Sequence, residues 1–105
     1  GMGADGVVPG LGNVDPHGYV RLYRAARAGD WTGARTEQER LFRLFGLVGA
    51  GGPHMGRGSS ALGAFKAALH LRGVIAHPTT ALPQIPLDAD EIAVVAKYLT
   101  TADLL

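Results

Sequence analysis

The sequence predicts a mainly α chain, with one N-terminal β-strand followed by about four helices. Three observations carry that reading. Residues Gly6 to Leu11 form a short, largely apolar run bounded by Gly and Asn, the pattern of a strand buried on both faces. Four later stretches repeat apolar residues at intervals of three and four, next to residues suited to closing helix ends. Nothing else in the chain offers that strand a neighbour, so the strand stands alone.

In chain order, Asn13-Val14-Asp15-Pro16 supplies cap candidates and then a proline, whose fixed φ suits the first helical position. A helix is predicted from Asp15 to Ala28, with Val20, Leu22, Tyr23, Ala25 and Ala26 on its apolar side. Gly29 is suited to the left-handed position beyond its end. Asp30 can cap a second helix from Trp31 to about Val48, whose apolar stripe is Trp31, Ala34, Leu41, Leu44, Phe45 and Val48. Arg35, Glu39 and Arg43, spaced by four, form its expected ion-paired, solvated face. So short a join makes the two helices antiparallel neighbours. The run GAGGPHMGRGSS, residues 49–60, is too rich in glycine for regular structure and reads as a mobile loop. Ser59 or Ser60 then caps a third helix that ends at Arg72 and Gly73, with Leu62, Phe65, Ala68 and Leu69 as its core face and Ala64 and Ala67 allowing close approach. Residues 74–87, with three prolines, read as an extended segment crossing other elements. Asp88-Ala89-Asp90-Glu91 has the form of a capping box, and the fourth helix runs on to about Thr100 with Ile92, Val95, Ala96 and Leu99 on one face.

The organisation follows: residues 1–2, where Gly1 before Met2 reads as a tag remnant and the start; 3–14, strand and turn; 15–48, helical hairpin; 49–58, glycine-rich loop; and 59–105, C-terminal helices joined by the proline-rich link. At 105 residues and 47 % apolar content this is a single domain's worth of chain. A net charge of +1 gives no reason to expect a nucleic-acid or membrane partner. No cysteine is present, so disulfides and thiolate chemistry are excluded, and a cytoplasmic setting is expected. No apolar run is long enough to span a bilayer, and no signal peptide is recognisable.

Few residues invite a chemical role. An amine nucleophile needs a desolvated or positively charged niche. Lys66 lies in an Ala-rich helix and Lys97 on the polar side of the last helix, where the simpler reading is a stem on apolar surface with its ammonium in water. Gly56-Arg57-Gly58-Ser59-Ser60-Ala61 fits a loose phosphate-loop pattern ahead of a helix, but no strand precedes it, and a flexible linker accounts for it. The four histidines, His17, His54, His70 and His77, have no metal-pair spacing, so no metal site is expected. Arg21, Arg24 and Arg27, near Tyr23 and Trp31, could face phosphate or RNA. A solvated helix face is the plainer reading in a chain of this charge.

The order of these elements resembles a known family. Gly3-Ala4-Asp5-Gly6-Val7-Val8, then Asn13, then AARAGDWTGAR (residues 25–35), FKAALHLRG (65–73) and LPQIPLDADEIAVVAKYL (82–99) are similar to the C-terminal portion of the dihydrodipicolinate synthase and N-acetylneuraminate lyase family. That resemblance implies the last strand and the C-terminal helices of a (β/α)8 barrel, a fold of roughly 250 residues. The missing sheet is then the first seven strands. It also implies a parent enzyme that forms a Schiff base between a barrel lysine and a 2-oxo acid, usually pyruvate, to make or break a carbon–carbon bond without a cofactor. The residues for that chemistry lie on earlier strands, and Lys66 matches a helix lysine instead, so no catalytic residue carries over. Gly6, Val7 and Val8 match the strand at the substrate end, with the Val8 carbonyl facing the oxo acid. Pro9 departs from the small polar residue usual there.

Three functions are therefore in play. The first is the C-terminal part of a pyruvate-type lyase, itself inactive. The second is an autonomous helical module for oligomerisation or interaction, and the third a phosphate or nucleotide binder at residues 56–61. A homo-oligomer is expected, with residues 3–12 in the interface or disordered.

Overall fold

The computed structural model describes residues 2–105. Helix α1 spans Pro16–Arg27, α2 Trp31–Phe45, α3 Arg57–Leu71 and α4 Ala89–Thr101, with short 3-10 helices at Gly10–Asn13 and Gly46–Gly49. No strand occurs among the described residues, which corrects the expectation at Gly6–Leu11. Residues 2–8 are exposed and irregular, and no hydrogen bond among the described residues engages 3–8. The reason is physical: a lone strand has no ladder, and Pro9 has no N–H to offer one, so water satisfies the backbone. Its last residue, Leu11, turns into the 3-10 helix instead and is buried with Val14.

Each helix start but one follows its cap. The Asp15 carboxylate accepts from Gly18 N at 3.1 Å, with Pro16 at the first helical position, and Asp30 accepts from Gly33 N at 2.9 Å. The capping box at α4 is complete: Glu91 N donates to Asp88 at 2.8 Å, and Asp88 N to Glu91 at 2.9 Å. Gly29 and Gly73 take the positive φ expected of residues past a helix end. The exception is α3. It begins a turn early behind Gly56, with no side-chain cap, so neither Ser59 nor Ser60 caps it. Ser60 is spent elsewhere: its hydroxyl donates to Val48 O at 2.6 Å and accepts from Gly51 N at 2.9 Å, while Ser59 accepts from Ile85 N at 3.3 Å.

The core joins Leu11 and Val14 to Leu41, Leu44 and Leu47, Ala64, Ala67 and Ala68 of α3, Leu87, and Val95 and Leu99 of α4. The α3 face matches expectation in Ala68 and in the close approach at Ala64 and Ala67, and differs at the larger residues. Ser60, Gly63, Ala64, Ala67 and Ala68 are buried, whereas Leu62 is 47 % exposed and Phe65 only half-buried. A helix apolar nearly all round has no unique inner face, and the small residues permit the closest approach to Gly46–Gly49 and α4. At Gly63 an added Cβ would already stand 3.2 Å from Leu87. Along α2, Ala34, Leu41 and Leu44 are buried as expected. Trp31 and Phe45 are not, and α2 gives way to the 3-10 helix after Phe45, which turns Leu47 inward. Leu41 and Leu44 of α2 lie in this core with Tyr19 and Leu22 of α1 packed against it, and the molecule measures 43 × 25 × 25 Å.

Candidate functional site

The hairpin builds an open apolar groove on the described surface. Tyr19, Leu22, Tyr23 and Ala26 of α1 recur at three and four, and so do Trp31, Ala34 and Gln38 of α2. Antiparallel packing across the Gly29-Asp30 turn sets the two rows side by side. Between them lies a groove of about 660 Å³, with Val7 of the N-terminal stretch at its side. Val8, the next residue, is fully exposed. The groove holds aromatic and aliphatic surface with Arg35 on its edge, and no acid–base pair lines it.

Beneath the hairpin an ionic cluster fixes its position. Asp15 is 1 % exposed and pairs with Arg40. Arg40 also donates to Glu37 at 2.8 Å and to the Ala102 carbonyl at 3.0 Å, so one guanidinium ties the start of α1, the middle of α2 and the end of α4 together. Arg21 closes the cluster on Glu37 at 3.1 and 3.2 Å. Burial pushes the Asp15 carboxyl up, but Arg40, the Gly18 amide and Arg21 outweigh it and hold it below the usual carboxylate range. Glu37 is likewise raised by burial and lowered further by Arg21 and Arg40. Burial, with the Asp15 charge, pushes the Tyr19 hydroxyl up. Gly18 is what permits the cluster: a Cβ there would meet Asp15 at 2.4 Å, Arg40 at 2.6 Å and Leu41 at 2.9 Å. The sequence offers Asp15 among the cap candidates but does not single out Arg40, 25 positions on. The only hint was a basic residue beside the buried stripe of α2.

The other candidates lie apart. Lys66 and Lys97 are exposed on separate helices. No group of three histidine or carboxylate residues that could hold a metal occurs among the described residues, and His54 merely approaches Glu91 at 4.0 Å. Residues 56–61 open α3 as a cap and first turn. The loop before them is tied down rather than free: Gly51 N donates to Ser60, and Gly52 N to the Glu91 carboxylate. Of the three α1 arginines, Arg21 is consumed by Glu37, whereas Arg24 and Arg27 are exposed and make no ion pair among the described residues. Arg35, Glu39 and Arg43 are exposed as well, and the ion pairs expected between them do not form. Among the described residues, no helix is long and apolar enough to cross a membrane.

Fold and site together define a helical unit with an open apolar groove and no assembled reaction centre among the described residues. The chain belongs to the dihydrodipicolinate synthetase family, whose pattern it matches over residues 1–102. It is 31 % identical over 102 residues to the 4-hydroxy-tetrahydrodipicolinate synthase of Methanosphaerula palustris, covering 97 % of this chain and 32 % of that protein. It is 29 % identical over 92 residues to the enzyme of the same name from Desulfotalea psychrophila, covering 88 % of this chain and 28 % of the relative. The chain thus spans about a third of the length of the curated relatives it matches.

Proposed function

We propose that this chain supplies the C-terminal helical part of a Schiff-base lyase acting on 2-oxo acids of the pyruvate type, in a cytoplasmic setting, and carries no such activity alone. The observation that carries the reading is the family match across residues 1–102 in a chain spanning about a third of its relatives. The exposure of Lys66 and Lys97 supports it, since a Schiff-base lysine works from a desolvated or charge-perturbed niche. In the complete enzyme the Val8 carbonyl faces the bound oxo acid, and the helices buttress the last strand of the barrel. The test is incubation with pyruvate and borohydride followed by mass spectrometry. No adduct is expected, and a stoichiometric adduct on Lys66 overturns the reading. An in-frame barrel-coding region upstream of Met2 is the matching genetic expectation. A second reading, a helical module that works by association, is favoured by the open groove of the hairpin.

A further inference from the structure

A second hollow lies where the end of α2 meets the end of α4, and no residue of the N-terminal stretch lines it. Its volume is about 450 Å³, within the range of small-molecule sites, and its lining is mostly apolar. Leu44 and Ala102, both buried, belong to that lining, and Phe42 and Tyr98 bring one aromatic ring from each helix. Gly46 admits the Tyr98 ring, since a Cβ there would stand 2.7 Å from it. The walls are held together in advance: Arg40 of the lining reaches from α2 to the Ala102 carbonyl at 3.0 Å, so little ordering is left for a ligand to impose.

The polar groups of this cleft carry one sign. No carboxylate lines it, whereas two guanidiniums do. Arg40 is neutralised by Asp15 and Glu37. Arg43 is exposed and makes no ion pair among the described residues, although Glu39 stands one turn before it. The Tyr98 hydroxyl likewise has no hydrogen-bond partner among the described residues, while that of Thr101 is spent on the Lys97 carbonyl at 3.0 Å. We infer that the cleft binds a small aromatic monocarboxylate, its ring against Phe42 and Tyr98 and its carboxylate accepting from Arg43 and the Tyr98 hydroxyl. A carboxylate fits the fork of one free guanidinium and brings one charge where one is unbalanced. A phosphate dianion would leave charge unmatched, and an amine would find no acid. Aromatic rings on both helices favour a flat ligand over a branched one.

Titration of the full chain with 2-naphthoate, followed by backbone amide NMR, tests the site, with 2-naphthamide as the uncharged isostere. Saturable shifts are expected at Gly46 and Thr101, with a dissociation constant of about 1 mM or tighter, and the amide is expected to bind about tenfold more weakly or worse. Arg43→Gln and Tyr98→Phe remove groups that bond to nothing in the folded chain, so the fold survives. They are expected to weaken 2-naphthoate by about tenfold and about threefold. Arg35→Gln, at an exposed position on the groove of the hairpin, is expected to change nothing. No saturable shift, equal binding of acid and amide, shifts centred on the hairpin, binding unmoved by Arg43→Gln or Tyr98→Phe, or an equal loss with Arg35→Gln overturns the inference. It stands apart from the lyase reading: an adduct on Lys66 would remove that reading and leave the cleft intact, and a failure to bind would do the reverse.

Discussion

At Asp15 two jobs meet in one carboxylate: it caps α1 and it neutralises Arg40 in a buried position. Asp15→Asn keeps a cap acceptor but leaves the guanidinium partly buried without its main counter-charge. It is expected to cost about 2–3 kcal/mol, below the range for a fully buried pair because Arg40 reaches water. The pH dependence has a definite sign. Asp15 and Glu37 titrate below their ordinary values of 3.8 and 4.5, so the unfolded chain binds protons first as pH falls. The stability they contribute is complete above those values and is lost as pH drops through the lower folded ones. Urea melts at neutral pH and at about pH 3 should therefore show a smaller acid loss in Asp15→Asn than in the parent; equal losses would mean that other carboxylates govern the acid limb. Gly18→Ala is a sharper probe of the same cluster. Its methyl would overlap Asp15, Arg40 and Leu41, so it is expected to destabilise despite the better helix propensity of alanine.

The helices differ in how they are held. Those of α1 and α2 are amphipathic and capped, so their ends could be written down from local chemistry alone. By contrast α3 depends on fit. Ala67 lies fully buried on its small-residue face, whereas Leu62 on the other side is half in water. Ala67→Leu is expected to cost on the order of 1–3 kcal/mol by overpacking, and Leu62→Ala to fall within about 0.5 kcal/mol of the parent. Thermal melts of both would check this, and the opposite order would show that Leu62, not the alanine face, is core. The loop ahead of α3 owes its path to two distant side chains. Glu91 both completes the capping box and accepts from Gly52 N. Glu91→Ala removes both, and hydrogen exchange at Gly52 and Asp88 should accelerate together; protection unchanged at Gly52 would detach the loop from α4.

For the molecule as a whole, the N-terminal stretch is expected to contribute little to the stability of the core. No hydrogen bond among the described residues engages residues 3–8, while Leu11 and Val14 are deep in the core. Deleting residues 1–8 is therefore expected to leave the helical circular dichroism intact, while removing Leu11 as well should lower the melting temperature by several degrees. An equal loss from both deletions would show that the stretch is part of the folded unit. The family relation gives this separation its sense: in relatives about three times as long, a stretch idle here has further chain to meet.

Locally encoded features were legible in the sequence. The caps at Asp15, Asp30 and Asp88, Pro16, Gly29 and Gly73 each act within a few residues of themselves, so spacing alone reveals them. The order of those elements also carried the family resemblance. Three things depended on partners distant in sequence. Whether Gly6–Leu11 became a strand depended on a ladder that no other segment of the chain provides. Which face of α3 went inward depended on how closely Gly46–Gly49 and α4 could approach, and an evenly apolar helix does not record that. The pairing of Asp15 with Arg40 depended on the hairpin bringing residues 25 positions apart into contact. Propensity and capping are properties of neighbours in the chain, whereas ladders, close packing and buried charge pairs are properties of neighbours in space, and only the tertiary structure decides who those are.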